Sequence, residues 1–243
     1  MVRACVVDRE NARAHHAQQG RGVEKMEITA IIPVFRRPEN VDQIIEALRA
    51  QTVPVHVVVV NTANAYQGNG ADDVWNVPYP VGPYVRFQVA AYYKGIIYYQ
   101  DDDLKPANPQ LLENMGYVVM SRPEFSIVGA RARNVNLEPP HYKHGDTRGP
   151  YTNNVKGGCM MMHRAGLDLV RTPPADMPAR CDDIHVSLEM GRGLHVHVVD
   201  PSWEKQLVNL PGFDRGFVSD TAHYDEREAY CKQWLERYYN GRG

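Results

Sequence analysis

The chain has 243 residues, 43% of them apolar and 23% charged, with a formal net charge of −2. That length suits one large domain with a substantial core, and the charge balance excludes a global basic field that would draw the protein to nucleic acid or an anionic membrane. No apolar run approaches the ~18 residues of a membrane span, and the four cysteines, Cys5, Cys159, Cys181 and Cys231, lack the C-x-x-C spacing of a zinc site. Reduced thiols in a cytoplasmic protein are expected.

Residues 1–25 are polar, without periodicity beyond Asp8 and without the apolar run of a signal peptide, and read as a peripheral or poorly ordered extension. Folding signals start at Met26. EITAIIPVF is a short apolar run ended by turn chemistry at Pro38, which predicts a buried strand. In ENVDQIIEALRAQ, Val41, Ile44, Ile45 and Leu48 fall on one helical face. VHVVVV, residues 55–60, is a second buried strand rich in β-branched residues. Strand, helix and strand at this spacing predict a βαβ unit in a parallel sheet covered on both faces. Residues 61–83 are rich in Asn, Gly and Pro and read as loop. YVRFQVAAYYKG predicts a helix feeding the strand GIIYYQ, and another helix opens at Asn108 or Pro109 and runs to Met120. FSIVGA and VKGGCMMMH predict strands, DDIHVSLEM a helix and LHVHVVD a last core strand. Residues 131–154 show no periodic pattern, and residues 201–223 read as loop. In the last helix, DEREAYCKQWLERYY, Tyr230, Trp234 and Tyr238 recur every four residues and suit packing on the domain itself or on a second subunit. The pattern predicts one α/β domain over residues 26–243, a mostly parallel mixed sheet flanked by helices.

The stretch IIYYQDDDLKP runs from an apolar strand straight into Asp101, Asp102 and Asp103. Adjacent carboxylates repel one another, so the triplet costs free energy unless a cation or solvent offsets it. Ligands of open α/β sheets bind beyond the carboxyl ends of strands, where IIYYQ delivers the triplet. Hard ions such as Mg²⁺ and Mn²⁺ favour carboxylate oxygens and bridge them to phosphates. In an extended chain Asp101 and Asp103 face one way and Asp102 the other. A solvated acidic turn before Pro106 is the alternative. Gly157 and Gly158 mark a close approach or a turn, and the methionines that follow read as core strand. His195 and His197, two apart on a predicted strand, face one side and suit packing beside the sheet. Asp182 suits the cap of the helix that follows it. RARNVNLEPPHYKHGDTR, residues 131–148, holds Arg131, Arg133, Lys143 and Arg148 with His141, Tyr142 and His144 among them, opposed by Glu138 and Asp146. Such a loop suits a lid over a diphosphate, or contact with a phosphate backbone and an unstacked base.

The order AIIPVFRRPENVDQIIEALRAQT, VVVVNTAN, RFQVAAYYKGIIYYQDDDLKP, GGCMMMHR and CDDIHVSLE resembles glycosyltransferases of the GT-A fold, family-2-like enzymes most closely, from about Glu27 to Tyr239. The resemblance implies a metal-dependent transferase that uses a nucleotide sugar, a UDP-sugar above others. It places Pro33, Val34, Phe35 and Arg36 at the base or ribose, and Asn61 where such enzymes often carry an acidic residue. Arg86 would meet the diphosphate. Asp101 and Asp103 would be the D-x-D pair on Mn²⁺ or Mg²⁺, Asp103 foremost, with Asp102 toward ribose or sugar. Gly158 would line the donor sugar and acceptor. Asp183 would take the acceptor proton, with Asp182 as its rival. His223, in a loop before the last helix, would supply a third metal ligand, with His195 and His197 as rivals. The resemblance extends to small free-standing phage enzymes that glycosylate hydroxymethylated pyrimidines. It implies hydroxymethylated DNA as acceptor, with the base flipped from the helix and no membrane involved. A glycan or another small hydroxyl acceptor is the alternative. A sugar nucleotidyltransferase would need a Gly-rich loop after the first strand, which IIPVFRRPENV lacks. A non-catalytic nucleotide-sugar or glycan-binding protein is the remaining alternative, and the intact DDD and CDDI segments favour chemistry over it.

Overall fold

In the computed structural model, which describes residues 26–62, 65–78, 82–137, 140–142, 150–212 and 222–239, the apolar run ITAIIPV forms β1 (Ile28–Val34), buried at all 7 positions. β2 (Val55–Thr62) pairs with it in parallel, from Ile28 opposite Val55 to Val34 opposite Asn61. Between them, α1 (Val41–Arg49) buries Val41, Ile44, Ile45 and Leu48, the face their spacing predicts. β3 (Asp73–Val77) extends the parallel set beyond β2. α2 (Val85–Ala90) then leads back to β4 (Ile96–Gln100), which pairs in parallel with the other side of β1.

The second half continues through β5 (Leu104–Pro106), α3 (Leu111–Met120), β6 (Ile127–Gly129), β7 (Val135–Leu137), β8 (Pro140–Tyr142), β9 (Tyr151–Thr152) and β10 (Cys159–His163). It ends with α4 (Asp182–Gly191), β11 (His197–Val199), α5 (Pro201–Glu204), β12 (Leu207–Asn209) and α6 (Ala222–Trp234). Among the described residues the main sheet has 8 strands in the order β3-β2-β1-β4-β10-β6-β11-β9, with β10 antiparallel to both neighbours. Two small sheets, β5 with β12 and β7 with β8, lie outside it.

Alternation along β1 explains why its strand is apolar at every position. Ala30 and Ile32 pack with Ile44, Leu48 and Met115 under α1 and α3, while Ile31 packs with Phe87, Tyr99 and Met160 on the opposite face. A third cluster joins Ile184 and Leu188 of α4 to Tyr230, Cys231 and Trp234 of α6. The last helix therefore packs on its own domain.

The loop expected over 61–83 contains β3, an edge strand whose positions alternate between half-buried and exposed. Only one side of it is paired, so DVWNV needs no continuous apolar run. The unpatterned segment 131–154 contains β7, β8 and β9, and the loop expected over 201–223 contains α5 and β12. These are elements of 2 to 4 residues, too short to carry a period. None of the described helices is long and apolar enough to cross a membrane. Cys159, Cys181 and Cys231 are free and buried. Residues 1–25 with Cys5, the loop residues Glu138, Lys143, His144, Asp146 and Arg148, and the side chains of His141 and Tyr238 lie outside the described residues.

Candidate active site

β1 and β4 are parallel neighbours, but the chain departs from them in opposite directions, to β2 and β3 on one side and to β10 on the other. A reversal of this kind opens a crevice beyond the carboxyl ends of the two strands. A cavity of about 300 Å³ occupies that place, lined among others by Pro33, Val34 and Phe35 from β1, Asp101 and Asp103 after β4, and Asp182 at the start of α4.

The three aspartates do not alternate, because the chain turns at Asp102 and Asp103 before β5. Asp102 accepts from the backbone N–H of Phe35 at 2.9 Å and of Arg36 at 3.3 Å, and from Arg37 Nε at 2.8 Å. The loop after β1 takes up its oxygens, so Asp102 holds that loop rather than a ribose. Arg37 Nη1 also reaches Asp103 Oδ2 at 2.7 Å. Burial, and then the charge of Asp101, raise the Asp103 carboxyl to about 7 despite Arg37. Asp101 has a side chain 37% exposed and accepts from Arg86 Nη1 at 2.7 Å. Among the described residues, no three His, Cys, Asp or Glu side chains form a cluster that could hold a metal unaided. A Mg²⁺-like ion is commonly held by one or two carboxylates together with substrate phosphates. Asp101, open to the cavity, and Asp103, whose charge is under-compensated, fit an ion that arrives with a diphosphate.

Arg86, expected at the diphosphate, is buried and spent on protein. It donates to Asp182 Oδ2 through Nη2 at 2.6 Å and Nε at 3.1 Å, and to the Gly157 carbonyl at 3.1 Å. A Cβ on Gly157 would collide with this guanidinium, and one on Gly158 would sit 3.2 Å from Asp101 Oδ2. The paired glycines thus admit the arginine and the carboxylate side by side. Asp182 does not cap α4. Cys181 occupies the cap position without a side-chain bond, and Asp182 turns to Arg86 instead. Both donors fall on Oδ2, and burial raises the Asp182 carboxyl to about 6 although Arg86 opposes it.

Asp183 has the opposite environment. Arg227 Nη2 lies 2.8 Å and 2.9 Å from its two oxygens, and the N–H groups of Ile184 and Gly157 donate at 2.8 Å and 3.2 Å. Burial alone would raise its carboxyl, but Arg227 more than offsets this, and Asp183 ends below the ordinary carboxylate range. A carboxylate so stabilised is a poor proton acceptor, which argues against it as the base and for its neighbour.

The structure relocates several other expected residues. Arg36 lies with its guanidinium 4.7 Å from the Phe35 ring centroid, and Arg37 rather than Arg36 lines the cavity. Asn61 is buried. It donates to Tyr66 O at 2.9 Å and Asn76 Oδ1 at 2.8 Å and accepts from Tyr66 N at 2.7 Å, so it organises the loop after β2 while Thr62 lines the cavity. His223 is the second residue of α6, not part of a loop, and does not join Asp101 and Asp103. It lies among Arg227, Arg180 and Arg133, whose charges disfavour a cation, and burial and Arg227 lower its pKa to about 4. Among the described residues its Nδ1, which is buried, has no hydrogen-bond partner. His197 is structural: Nδ1 accepts from Ile127 N at 3.0 Å, which leaves Nε2 to donate to Ser187 O at 2.7 Å. His195 precedes β11 and is exposed, so the two histidines do not share a face. Arg37, Lys156, Arg180 and Arg227 line the cavity without a local sequence signal.

Comparison with protein-family models gives no match, and none of the curated proteins matches in sequence. Solved structures do match. The mannosyltransferase of Pyrobaculum calidifontis in complex with GDP-Man and Mn²⁺ is 16% identical, with a TM-score of 0.55 over 72% of this chain and 55% of its own. TarS of S. aureus in complex with UDP-GlcNAc is 13% identical, with a TM-score of 0.51 over 72% of this chain and 56% of its own. Glucosyl-3-phosphoglycerate synthase of Mycobacterium tuberculosis, in complex with Mn²⁺, UDP-glucose and phosphoglyceric acid, is 14% identical, with a TM-score of 0.58 over 94% of this chain and 83% of its own. The chain thus spans little more than half the length of the first two. At such identities the likeness is one of architecture, and the chain has the GT-A fold that these nucleotide-sugar glycosyltransferases share.

Proposed function

We propose that the chain is a metal-dependent glycosyltransferase that moves a sugar from a nucleotide donor, a UDP-sugar above others, to a hydroxyl acceptor. The observation that carries this is the convergence of Asp101, Asp103 and Asp182 in one cavity at the switch point between β1 and β4. Pro33, Val34 and Phe35 border the base. Asp101 and Asp103 hold Mn²⁺ or Mg²⁺, which when bound offsets the charge on the departing diphosphate as a Lewis acid. The acceptor oxygen forms a bond to the anomeric carbon as the bond from that carbon to the diphosphate oxygen breaks. Asp182, poised near pH 6, takes the acceptor proton. Arg86 orients Asp182 and Asp101 together, and Arg227 fixes Asp183 beneath them.

Hydroxymethylated DNA remains the acceptor that we put forward first. Arg131, Arg133 and Tyr142, from the loop that suggested it, line the cavity. The test is release of UDP from a panel of UDP-sugars, with Mn²⁺ or EDTA, on DNA with and without hydroxymethylated bases. Release that needs both Mn²⁺ and the hydroxymethyl group supports donor class and acceptor together. Slow Mn²⁺-dependent hydrolysis that ignores the DNA would keep the transferase and remove this acceptor. Donor binding without turnover on any acceptor would favour a binding protein that kept the fold.

A further inference from the structure

The turn that carries the aspartates is tied to the loop after β1 by one arginine. Arg37 is 6% exposed. Its Nε and Nη2 lie 2.8 Å and 2.7 Å from Asp102 Oδ1, and its Nη1 donates to Asp103 Oδ2 at 2.7 Å and to the Gly212 carbonyl at 3.1 Å. Moving the guanidinium away would break all of these contacts. The backbone around it is fixed as well. Asp102 Oδ2 accepts from the N–H groups of Phe35 and Arg36. Asn40 Nδ2 donates to the carbonyls of Asp102 and Pro211, each at 2.9 Å, and Leu210 N donates to the Asp103 carbonyl at 2.7 Å.

Arg37 also lines the cavity, together with Asp101 and Asp103. The carboxylate it holds is the one that a metal would need. A Mg²⁺-like ion sits about 2.1 Å from a ligand oxygen, so an ion on either oxygen of Asp103 would lie within about 7 Å of Arg37 Nη1, where like charges oppose one another strongly in a buried site. Asp101 has a cation of its own, Arg86 Nη1 at 2.7 Å. Both expected ligands are therefore engaged before any ion arrives. Among the described residues, no group of three His, Cys, Asp or Glu side chains is arranged to hold a metal without help. A diphosphate changes this balance. It brings oxygen ligands to the ion, and its negative charge offsets the arginine beside it.

We infer that Arg37 is a resident counter-cation of the aspartate turn: it competes with free metal for Asp103 and makes loading of the ion depend on the diphosphate of the donor. The inference rests on the proposed nucleotide-sugar chemistry, and it gives Arg37 a positioning role, exerted through Asp103. A structural brace and a counter-cation differ in the sign of their effect. Loss of a brace loosens the turn and weakens metal binding. Loss of a counter-cation leaves carboxylate charge unmatched and strengthens metal binding. It also lets the ion bind without the donor, so metal and diphosphate then help each other less.

The full chain is titrated with Mn²⁺, without and with saturating UDP, at about pH 8 to limit competition from protons. Bound ion is read from the loss of the free Mn²⁺ signal in electron paramagnetic resonance. R37Q and R37K are titrated alongside, each against its own thermal melt. The natural chain is expected to bind Mn²⁺ alone about a hundredfold more weakly than with UDP. R37Q should bind Mn²⁺ alone about tenfold more tightly than the natural chain does, and the gain from UDP should shrink by a similar factor. R37K keeps the charge and should stay as weak as the natural chain. Mn²⁺ alone that binds R37Q no better than the natural chain, or R37K as tightly as R37Q, overturns the counter-cation. So does Mn²⁺ that binds the natural chain equally well with and without bound UDP, an outcome that is decisive even if R37Q does not fold. UDP that fails to bind the natural chain, with or without Mn²⁺, overturns the transferase reading instead. Tighter Mn²⁺ binding by R37Q would then leave the competition between Arg37 and the ion standing.

Discussion

Asp182 and Asp183 are neighbours in sequence with opposite electrostatics, and that difference sets what each substitution does. General-base catalysis is worth roughly 10²–10⁴-fold, so Asp182→Asn is expected to cut kcat by about that factor while UDP affinity holds. Because the ionised form accepts the proton, kcat/KM should fall as pH drops through about 6. That limb should vanish from the residual activity of the variant, and a limb that persists would remove Asp182 from the role. Asp183→Asn strands the buried Arg227 guanidinium, and breaking such a pair costs about 3–5 kcal/mol, so its main readout is a lower Tm. Asp103 gives a linked prediction. Its folded carboxyl titrates near 7, above the ordinary value near 4, so the folded state holds an extra proton between them. The stability from this group is full below pH 4 and is lost as pH rises through 7. Binding of Mn²⁺ expels that proton, so Mn²⁺ affinity measured with UDP present should rise from pH 6 to pH 8, with proton uptake by the buffer. An affinity flat over that range would count against Asp103 as a ligand. The triplet was legible because its carboxylates are adjacent in sequence. Arg37 and Arg227 were not, because their partners lie 66 and 44 residues away and FRRPE or DEREAY alone reads as surface charge.

The helix that carries these aspartates is held by the last one. His185 Nδ1 meets the Tyr230 hydroxyl at 2.7 Å, and Trp234 Nε1 donates to Glu189 Oε1 at 2.6 Å. Arg171 also binds Glu189, through Nε at 2.7 Å and Nη2 at 3.1 Å. α4 is buried at every position, His185 and Glu189 included, so each polar group on it needs a partner, and those of His185 and Glu189 come from α6 and the preceding loop. Trp234→Phe leaves Glu189 with Arg171 alone and is expected to cost about 1–3 kcal/mol, read as a fall in Tm. Since α4 begins with Asp182, kcat should fall with it while UDP binding, centred on β1 and β4, changes little. Equal loss of both would mean that α6 supports the whole cavity rather than this helix. At this scale legibility followed burial pattern. α1 showed its face because its four apolar positions sit on one side. β3 stayed hidden because an edge strand needs burial at few positions, and β7 to β9 because they are too short to repeat.

For the molecule as a whole, the parallel half was readable because strands buried on both faces are apolar without interruption. The antiparallel β10 between β4 and β6 was not, since CMMMH has the same appearance in either direction. Yet the parallel half alone fixes the switch point, and with it the crevice in which the proposed donor would sit. This sets the last prediction, the response of global stability to ligand. A ligand that binds only the folded state at about 100 times its Kd adds roughly 2.7 kcal/mol, which for a chain of this size raises Tm by roughly 5–11 °C. If Asp101 and Asp103 reach the diphosphate through a metal, UDP with Mn²⁺ should give a rise of that order, and UDP with EDTA distinctly less. Asp101→Asn should erase the difference between the two while leaving the EDTA value in place, because the base contacts proposed at Pro33, Val34 and Phe35 would not pass through it.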